Sequence, residues 1–320
     1  MKTVAVILAA GQGKRMKSPL PKVLHPVLGK PMVQRAAETA VAAGVSEVTV
    51  VVGHGREAVI SILEQNSWNW AVQNEQLGTA HAVKCASEQI EGADEVVVLM
   101  GDVPLLRAET VRELLEARRQ HNAALTVLTT TPPVVTGYGR IILNDSGLID
   151  RIVEEKDATE EEKKNRIINT GIMVFDGTIL PEILSLIESN NAQNEFYLTD
   201  AVAIAGKLGK DVYSHFTEFW TEVAGVNNPL QLAECTKVMK KRVTSEHLLA
   251  GVVIPDPDTV WIEDTATIAR GVIVGRNCRI SGEALIGPDV VIGDGAVIDG
   301  VVIEAGTRID EYSVIGFDNE

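Results

Sequence analysis

Val4-Ala5-Val6-Ile7-Leu8-Ala9-Ala10-Gly11-Gln12-Gly13-Lys14-Arg15-Met16 runs an apolar β segment straight into a glycine-rich loop that ends in two cations. Val4–Ala9 suits a buried strand, and glycines at 11 and 13 let backbone N–H groups approach an anion closely. Pro31–Ala43 has helical spacing and is stopped by Gly44; Glu47–Val52 is a second β run, closed by Gly53 and Gly55. Glu57–Leu63 and Thr79–Gln89 read as helices. Glu95–Met100 reads as a strand closed by Gly101-Asp102, Thr110–His121 as an amphipathic helix and Ala124–Thr130 as a strand. Strands alternating with such helices predict βαβ units and a mostly parallel sheet. Sheets of this kind take ligands at the carboxyl ends of their strands, where the glycine loop and Asp102 both fall.

The tail has another texture. Apolar residues stand six apart at Ile262, Ile268, Val274, Ile280, Ile286, Ile292 and Ile298, and after a five-residue step at Ile303, Ile309 and Ile315. A six-residue period with glycine after many of these positions is the hexapeptide β-helix signature, each hexad forming one short side of a triangular coil. Between the two regions, Asp157–Arg166 is a charged run expected to be a solvated helix or loop, and Pro229–Leu249 a long helix. The expected domains are 1–228, a linker helix 229–250 and the coil 251–320.

The 320 residues carry a net charge of −15 with 45% hydrophobic and 23% charged residues, which fits about two folded domains and excludes disorder. A chain this acidic offers no broad basic surface, so no nucleic-acid partner is expected. Residues 1–60 nevertheless carry eight Lys/Arg against three acids, and residues 251–320 four Arg against thirteen acids. The basic segment suggests a local anion site; chance clustering on solvated faces is the alternative. Cys85, Cys235 and Cys278 form no metal-binding spacing and read as reduced thiols of a cytoplasmic protein. No signal-peptide pattern and no apolar run of membrane-spanning length is present.

Taken alone, the glycine loop is weak evidence. It lacks the third glycine of a dinucleotide fingerprint, and Gly13-Lys14 is followed by Arg rather than Ser or Thr. Pro21-Lys22-Val23-Leu24 follows it, and the pair is far more specific. The remaining motifs come in order: Gln73-Asn74-Glu75-Gln76-Leu77-Gly78-Thr79-Ala80-His81-Ala82, Gly101-Asp102-Val103-Pro104-Leu105 and Thr136-Gly137-Tyr138-Gly139-Arg140-Ile141. Then follow Ile152-Val153-Glu154-Glu155-Lys156-Asp157-Ala158-Thr159, Ile168-Asn169-Thr170-Gly171-Ile172, Asn194-Glu195-Phe196-Tyr197-Leu198-Thr199-Asp200 and Gly225-Val226-Asn227-Asn228. With this set the chain resembles sugar-1-phosphate nucleotidyltransferases. In detail it resembles the uridyltransferase half of the bacterial bifunctional N-acetylglucosamine-1-phosphate uridyltransferase/glucosamine-1-phosphate acetyltransferase family.

The resemblance implies an α/β fold: a Rossmann-like nucleotidyltransferase domain with a mostly parallel mixed sheet, then a short left-handed parallel β-helix that supports a homotrimer. It implies UTP and N-acetylglucosamine 1-phosphate as substrates, UDP-N-acetylglucosamine and pyrophosphate as products, and Mg²⁺ as cofactor. Arg15, Lys22 and Asp102 are the implied catalytic residues. Leu8, Ala9, Ala10, Gly11, Gly13 and Lys22 are implied to hold the triphosphate, and Gln73, Gln76, Gly78 and Thr79 to read the base. Gly137, Glu154, Asn169, Tyr197 and Thr199 are implied to hold the sugar, and Asp102 with Asn227 the metal. Read singly, Asp102 also suits a helix N-cap, Asn227 a turn, Glu154 and Asn169 polar surface, and Tyr197 the core.

The sequence departs from the family pattern at Lys14, Met100 and Ala224, and Met100 puts one ribose or sugar contact in doubt. No His follows His247 and no Lys follows Lys241, so acetyltransferase activity is expected to be lacking in this chain. A piece of a longer bifunctional enzyme would read the same way. Glucose or N-acetylgalactosamine 1-phosphate and dTTP remain rival substrates, and a nucleotide-sugar sensor without turnover is the rival outside the enzymes. Asp310, Glu311, Asp318, Asn319 and Glu320 are expected to blunt the last coil.

Overall fold

The computed structural model describes residues 1–316. The chain forms two compact units, Met1–His25 with Pro31–Asn228, and Pro26–Lys30 with the residues from Pro229 onward.

In the first unit the described residues form one nine-stranded sheet: β1 (Thr3–Leu8), β2 (Glu47–Val52), β3 (Asn69–Val72), β4 (Glu95–Met100), β5 (Leu125–Thr130), β6 (Arg140–Leu143), β7 (Ile149–Val153), β8 (Ile168–Asp176) and β9 (Val212–Phe216). Its order is β9-β5-β8-β4-β1-β2-β3, with β6 pairing β8 and β7 pairing β6. β1, β2, β3 and β4 pair in parallel, as do β5 and β9, while β8 runs antiparallel between β4 and β5. The sheet is therefore mixed and mostly parallel.

Among the described residues six α-helices accompany it: α1 (Met32–Ala42), α2 (Arg56–Gln65), α3 (Thr79–Cys85), α4 (Ala108–His121), α5 (Leu180–Leu186) and α6 (Asp200–Lys207). Alternation along each strand divides the core into two clusters. Val4 and Val6 of β1 join Val96 and Val98 of β4 against Ala82 and Val83 of α3 and Val202 of α6. Ala5 and Ile7 join Val97 and Leu99 against Ala36 of α1, Leu63 of α2 and Leu114 of α4. Strands buried on both faces must be continuously apolar, which is why they stand out in the sequence.

One local reading changes, and one pair of alternatives is decided in favour of a loop. The helix beginning at Thr79 ends at Cys85, where Ser87 Oγ donates to the Lys84 carbonyl (2.6 Å) and the chain passes into turns. The charged run 157–166 is turns plus one 3₁₀ turn, Glu162–Lys164. Its reciprocal cap has Thr159 N donating to Glu162 Oε2 (2.9 Å) and Glu162 N to Thr159 Oγ1 (3.2 Å).

The second unit contains α7 (Pro229–Leu249) and ten short strands among the described residues. These pair only in parallel, in three sheets. One column stacks Ile262, Ile280, Ile298 and Ile315; the second Ile268, Ile286 and Ile303; the third Val274, Ile292 and Ile309. One lap thus takes three hexads, and the five-residue step shortens the last lap without breaking register. Gly275 sits where a Cβ would lie 2.7 Å from the Asp294 backbone nitrogen and 2.8 Å from the Gly293 carbonyl carbon, so the position admits no side chain. Pro26–Lys30, which lies inside the stretch 1–228, stands with this unit because Pro26–Val27 packs on α7, and α7 itself is part of the unit rather than a separate linker. Asp318, Asn319 and Glu320 lie outside the described residues.

A buried ion cluster fixes β4. Glu95 is fully buried at its start and accepts from Arg118 Nε (2.9 Å), Arg119 NH2 (2.6 Å) and Thr3 Oγ1 (3.1 Å). Burial raises the Glu95 pKa, but the bonds and charges of Arg119 and Arg118 outweigh it and hold the carboxyl below its ordinary value. Stability from this lowered pKa is present above the unfolded carboxyl value, about 4.3, and is lost as pH falls through the lower folded value. Glu95→Ala is expected to lower unfolding free energy by about 3–5 kcal/mol at pH 7, read by urea denaturation. Below pH ~4 the variant should lose less stability per pH unit than the parent chain.

Candidate active site

The glycine loop leaves the sheet at the end of β1, between two parallel neighbours. Ala9 N donates to Val51 O (2.9 Å) and Gly101 N to Leu8 O (3.0 Å), which ties the loop to the ends of β2 and β4. Gly13 has φ +60°, and a Cβ there would lie 2.5 Å from Lys22 Cβ. Only glycine lets the loop pass that closely. Buried Met16 anchors a 3₁₀ turn, Lys14–Met16, that leaves Lys14 and Arg15 exposed. Buried Val23 and Leu24 anchor a second, Lys22–Leu24, that presents Lys22.

Lys22 Nζ donates to Asp102 Oδ2, in a very short ion pair, and to Asn227 Oδ1 at 3.2 Å. Arg15 NH2 donates to the same Asn227 oxygen at 2.9 Å. Val226 N donates to Asp102 O at 2.9 Å, so the strand end and the 225–227 segment are held together by backbone as well. The Lys22 and Asp102 side chains are each only 15% exposed. Asp102 caps no helix, since α4 begins at Ala108, and Asn227 does more than form a turn.

Asp102 and Asn227 aim two oxygens at one cationic point, now the Lys22 ammonium. That donor set fits a hard divalent cation of the Mg²⁺ type, which takes one or two protein oxygens and completes its shell with water and substrate phosphate. Among the described residues no group of three His, Cys, Asp or Glu side chains could form an all-protein cage.

Two cavities adjoin this cluster. The first, about 220 Å³, is lined by Leu8, Ala9, Ala10, Gly11, Lys22, Gln73, Gln76, Gly78, Thr79 and Asp102, with Val23, Ala82, Met100 and Glu195. The second, about 210 Å³, is lined by Gly137, Glu154, Asn169 and Thr199, with Leu8, Thr79, Met100, Tyr138, Gly139, Thr170, Gly171, Met173 and Leu198. Leu8, Thr79 and Met100 line both, so the cavities meet beneath the end of β1. The residues implied to bind nucleotide, Gly13 excepted, line the first; those implied to bind sugar, Tyr197 excepted, line the second. Gly13, Arg15, Asn227 and Tyr197 line neither. Tyr197 is buried and its hydroxyl accepts from Gln193 Nε2 (2.7 Å).

Tyr138 was not singled out in the sequence, though it sits inside a quoted motif. It is half-buried, and burial together with the Asp102 charge pushes its phenol pKa up. Met100 is a second lining residue with no signal beyond its position at the end of β4.

The polar walls are preset. Gln73 is buried, and its Nε2 donates to Gly78 O (3.1 Å). Gly78 has φ +116°, with Phe196 O 2.4 Å from where its Cβ would stand. In the second cavity a register shift between Asn169 and Met173 bulges β8; Asn169 Oδ1 accepts from Gly171 N (3.0 Å) inside it. Bulges of this kind re-aim side chains beside a site. Glu154 accepts from Thr199 Oγ1 (3.1 Å), and its pKa is raised, chiefly by burial and further by Asp157 and Asp200, against the lowering effect of the Thr199 bond.

Residues 5–171 match the MobA-like NTP transferase domain. The chain is 44% identical over 312 residues to the bifunctional protein GlmU of Brevibacillus brevis, covering 97% of this chain and 67% of that protein. It is 43% identical over 290 residues to the protein of the same name from Enterococcus faecalis, covering 90% of this chain and 63% of that protein. The chain thus spans roughly two thirds of the length of these curated relatives. A crystal structure of a UDP-glucose pyrophosphorylase complexed with UDP-glucose covers 76% of this chain, and all of that chain, with a TM-score of 0.60 at 20% identity, a likeness of fold.

Gly78→Ala is expected to strain the loop by about 1–3 kcal/mol and weaken nucleotide binding, read by calorimetry. Gly11→Ala, with open space around the added carbon, should leave the melting temperature of the free protein unchanged.

Proposed function

The chain belongs to the GlmU family and carries its nucleotidyltransferase domain, and from that premise we propose that it makes UDP-N-acetylglucosamine from UTP and N-acetylglucosamine 1-phosphate. A phosphate oxygen of the sugar 1-phosphate attacks the α-phosphorus of UTP. The bond to the β-phosphate oxygen breaks, and pyrophosphate leaves with that electron pair. The observation that carries this reading is the partition of the cleft. One cavity has a glycine loop, a lysine and two amides; the other has a carboxylate, an amide and a hydroxyl; and the two share a junction beside Asp102.

The residues act by alignment and by charge. The backbone around Gly11 opens to the triphosphate. Lys22 and Arg15 neutralise it and the charge that grows on the leaving pyrophosphate. Gln73 and Gln76 offer amide donors and acceptors to the base. Glu154, Asn169 and Thr199 hold sugar hydroxyls and the N-acetyl group, with the Gly137 backbone beside them. Tyr197 supports the segment from within the fold. Asp102 and Asn227 would hold Mg²⁺, which when bound screens the phosphates and polarises the α-phosphate. With Asp102 engaged by the cation, Lys22 would be available to the phosphate oxygens.

We extend the proposal to assembly and location. The second unit is read as a left-handed parallel β-helix that joins three copies. Support comes from apolar side chains left on its outer faces, among them Val253 (50% exposed), Leu285 (47%) and Val302 (64%). The location is read as cytoplasmic; no helix of the described residues is long and apolar enough to cross a membrane, and Cys85, Cys235 and Cys278 form no disulfide among them.

The test is pyrophosphate release from UTP and N-acetylglucosamine 1-phosphate with Mg²⁺. Asp102→Ala should lower kcat/KM by at least ~100-fold. No release by the parent chain, or a rate insensitive to Asp102, contradicts the reading. A panel with glucose and N-acetylgalactosamine 1-phosphates and with dTTP decides between rival substrates. Leu285→Arg should convert a trimer to smaller species in analytical ultracentrifugation, and an unchanged mass contradicts the trimer surface.

A further inference from the structure

His81 stands on the third residue of α3 and has no place in the reaction described above. Its Nδ1 lies 3.0 Å from Gln73 Nε2, and its Nε2 lies 3.9 Å from Cys85 Sγ one turn on. Gln73 Nε2 also donates to the backbone oxygen of Gly78 at 3.1 Å. A carbonyl oxygen only accepts, so the Gln73 atom facing Gly78 is the amide nitrogen. The same NH₂ group faces His81, and His81 Nδ1 must therefore offer its lone pair. The ring proton then sits on Nε2, directed at Cys85 Sγ. Burial pushes the Cys85 thiol pKa up, which keeps that sulfur protonated and a weak acceptor.

Both amide hydrogens of Gln73 are thus engaged within the protein. Its carbonyl oxygen makes no hydrogen bond among the described residues, and the side chain lines the first cavity. A lone pair presented there suits a base edge that carries an N–H. Uracil has one at N3, and thymine has the same imide edge. Cytosine puts a lone pair at N3, which meets the Gln73 oxygen as acceptor against acceptor.

We infer that His81 is a positioning residue that locks the Gln73 amide with its carbonyl toward the cavity, and that this lock selects a base with an imide N–H over cytosine. The inference rests on the reading that this cavity receives the base of the nucleotide. Gly78 alone holds one amide hydrogen and leaves the group free to swing; the second contact, from His81, removes that freedom. An amide turned the other way presents NH₂ to the base and favours cytosine N3.

The test compares kcat/KM for UTP, dTTP and CTP in the parent chain and three variants. His81→Leu removes the acceptor. His81→Asn restores an oxygen near the Nδ1 position. His81→Gln carries its polar group to the Nε2 position and serves as a second loss variant should His81→Leu unfold. The UTP:CTP ratio should fall at least about 10-fold in His81→Leu and His81→Gln and stay near the parent value in His81→Asn. The UTP:dTTP ratio and the KM for the sugar phosphate should not move, whereas general damage to α3 would move them together. A UTP:CTP ratio unchanged in both loss variants, or lost equally in His81→Asn, overturns the inference. Affinities for UMP and CMP, measured by calorimetry on the same proteins, read the same ratio without turnover. Failure of the parent chain to use UTP would therefore count against the proposed function and leave the role of His81 decided by binding.

Discussion

One ammonium group organises the site. Lys22 Nζ reaches Asp102 from the end of β4 and Asn227 from the last segment of the first unit, while Arg15 shares the Asn227 oxygen. Three distant parts of the chain meet at that point, and nothing else in the cleft brings so much charge together. The short 3₁₀ turn that carries Lys22 depends on buried Val23 and Leu24, and the loop before it depends on Gly13 lying against Lys22 itself. Charge that has been gathered and partly desolvated in this way interacts with a phosphate far more strongly than the same groups spread over a surface.

The sheet explains why the cluster forms where it does. β1 has parallel neighbours on both sides, so the ends of β1, β2 and β4 all open on one edge. β8 then runs the opposite way beside β4, and Asn169 at its bulge lines the second cavity together with Met100 and Leu8. Glu95 and its two arginines fix the other end of β4, which sets the position of Asp102 one strand-length away. The two cavities are consequences of this arrangement, with the strand ends as their common floor.

Much of this was legible in the sequence, for identifiable reasons. Strands β1, β2 and β4 are buried on both faces and read as unbroken apolar runs. The second unit repeats every six residues because each hexad buries its column residue and the small or branched residue two before it, as in Val260 with Ile262, Ala266 with Ile268 and Val272 with Val274, and the stacked parallel columns follow that period. Other features leave no trace of that kind. The direction of β8 is invisible because alternation carries no sign. Pro26–Lys30 is too short to show that it packs with α7. Tyr197 could be core or contact, and what the structure adds is its bond to Gln193 and its absence from the residues lining either cavity. His81 lies in an alanine-rich helix, where a single histidine reads as filler until the Gln73 amide is seen beside it.

In the proposed reaction the two cavities are opposite sides of one displacement, with the sugar phosphate attacking the α-phosphorus directly and no protein atom bonded to it on the way. The stereochemical course at that phosphorus tests this most directly. With UTP made chiral by a sulfur at the α-phosphate, and the configuration of the UDP-sugar product read by ³¹P NMR, the account predicts inversion. Retention would mean two displacements through a covalent uridylyl-enzyme and would contradict it.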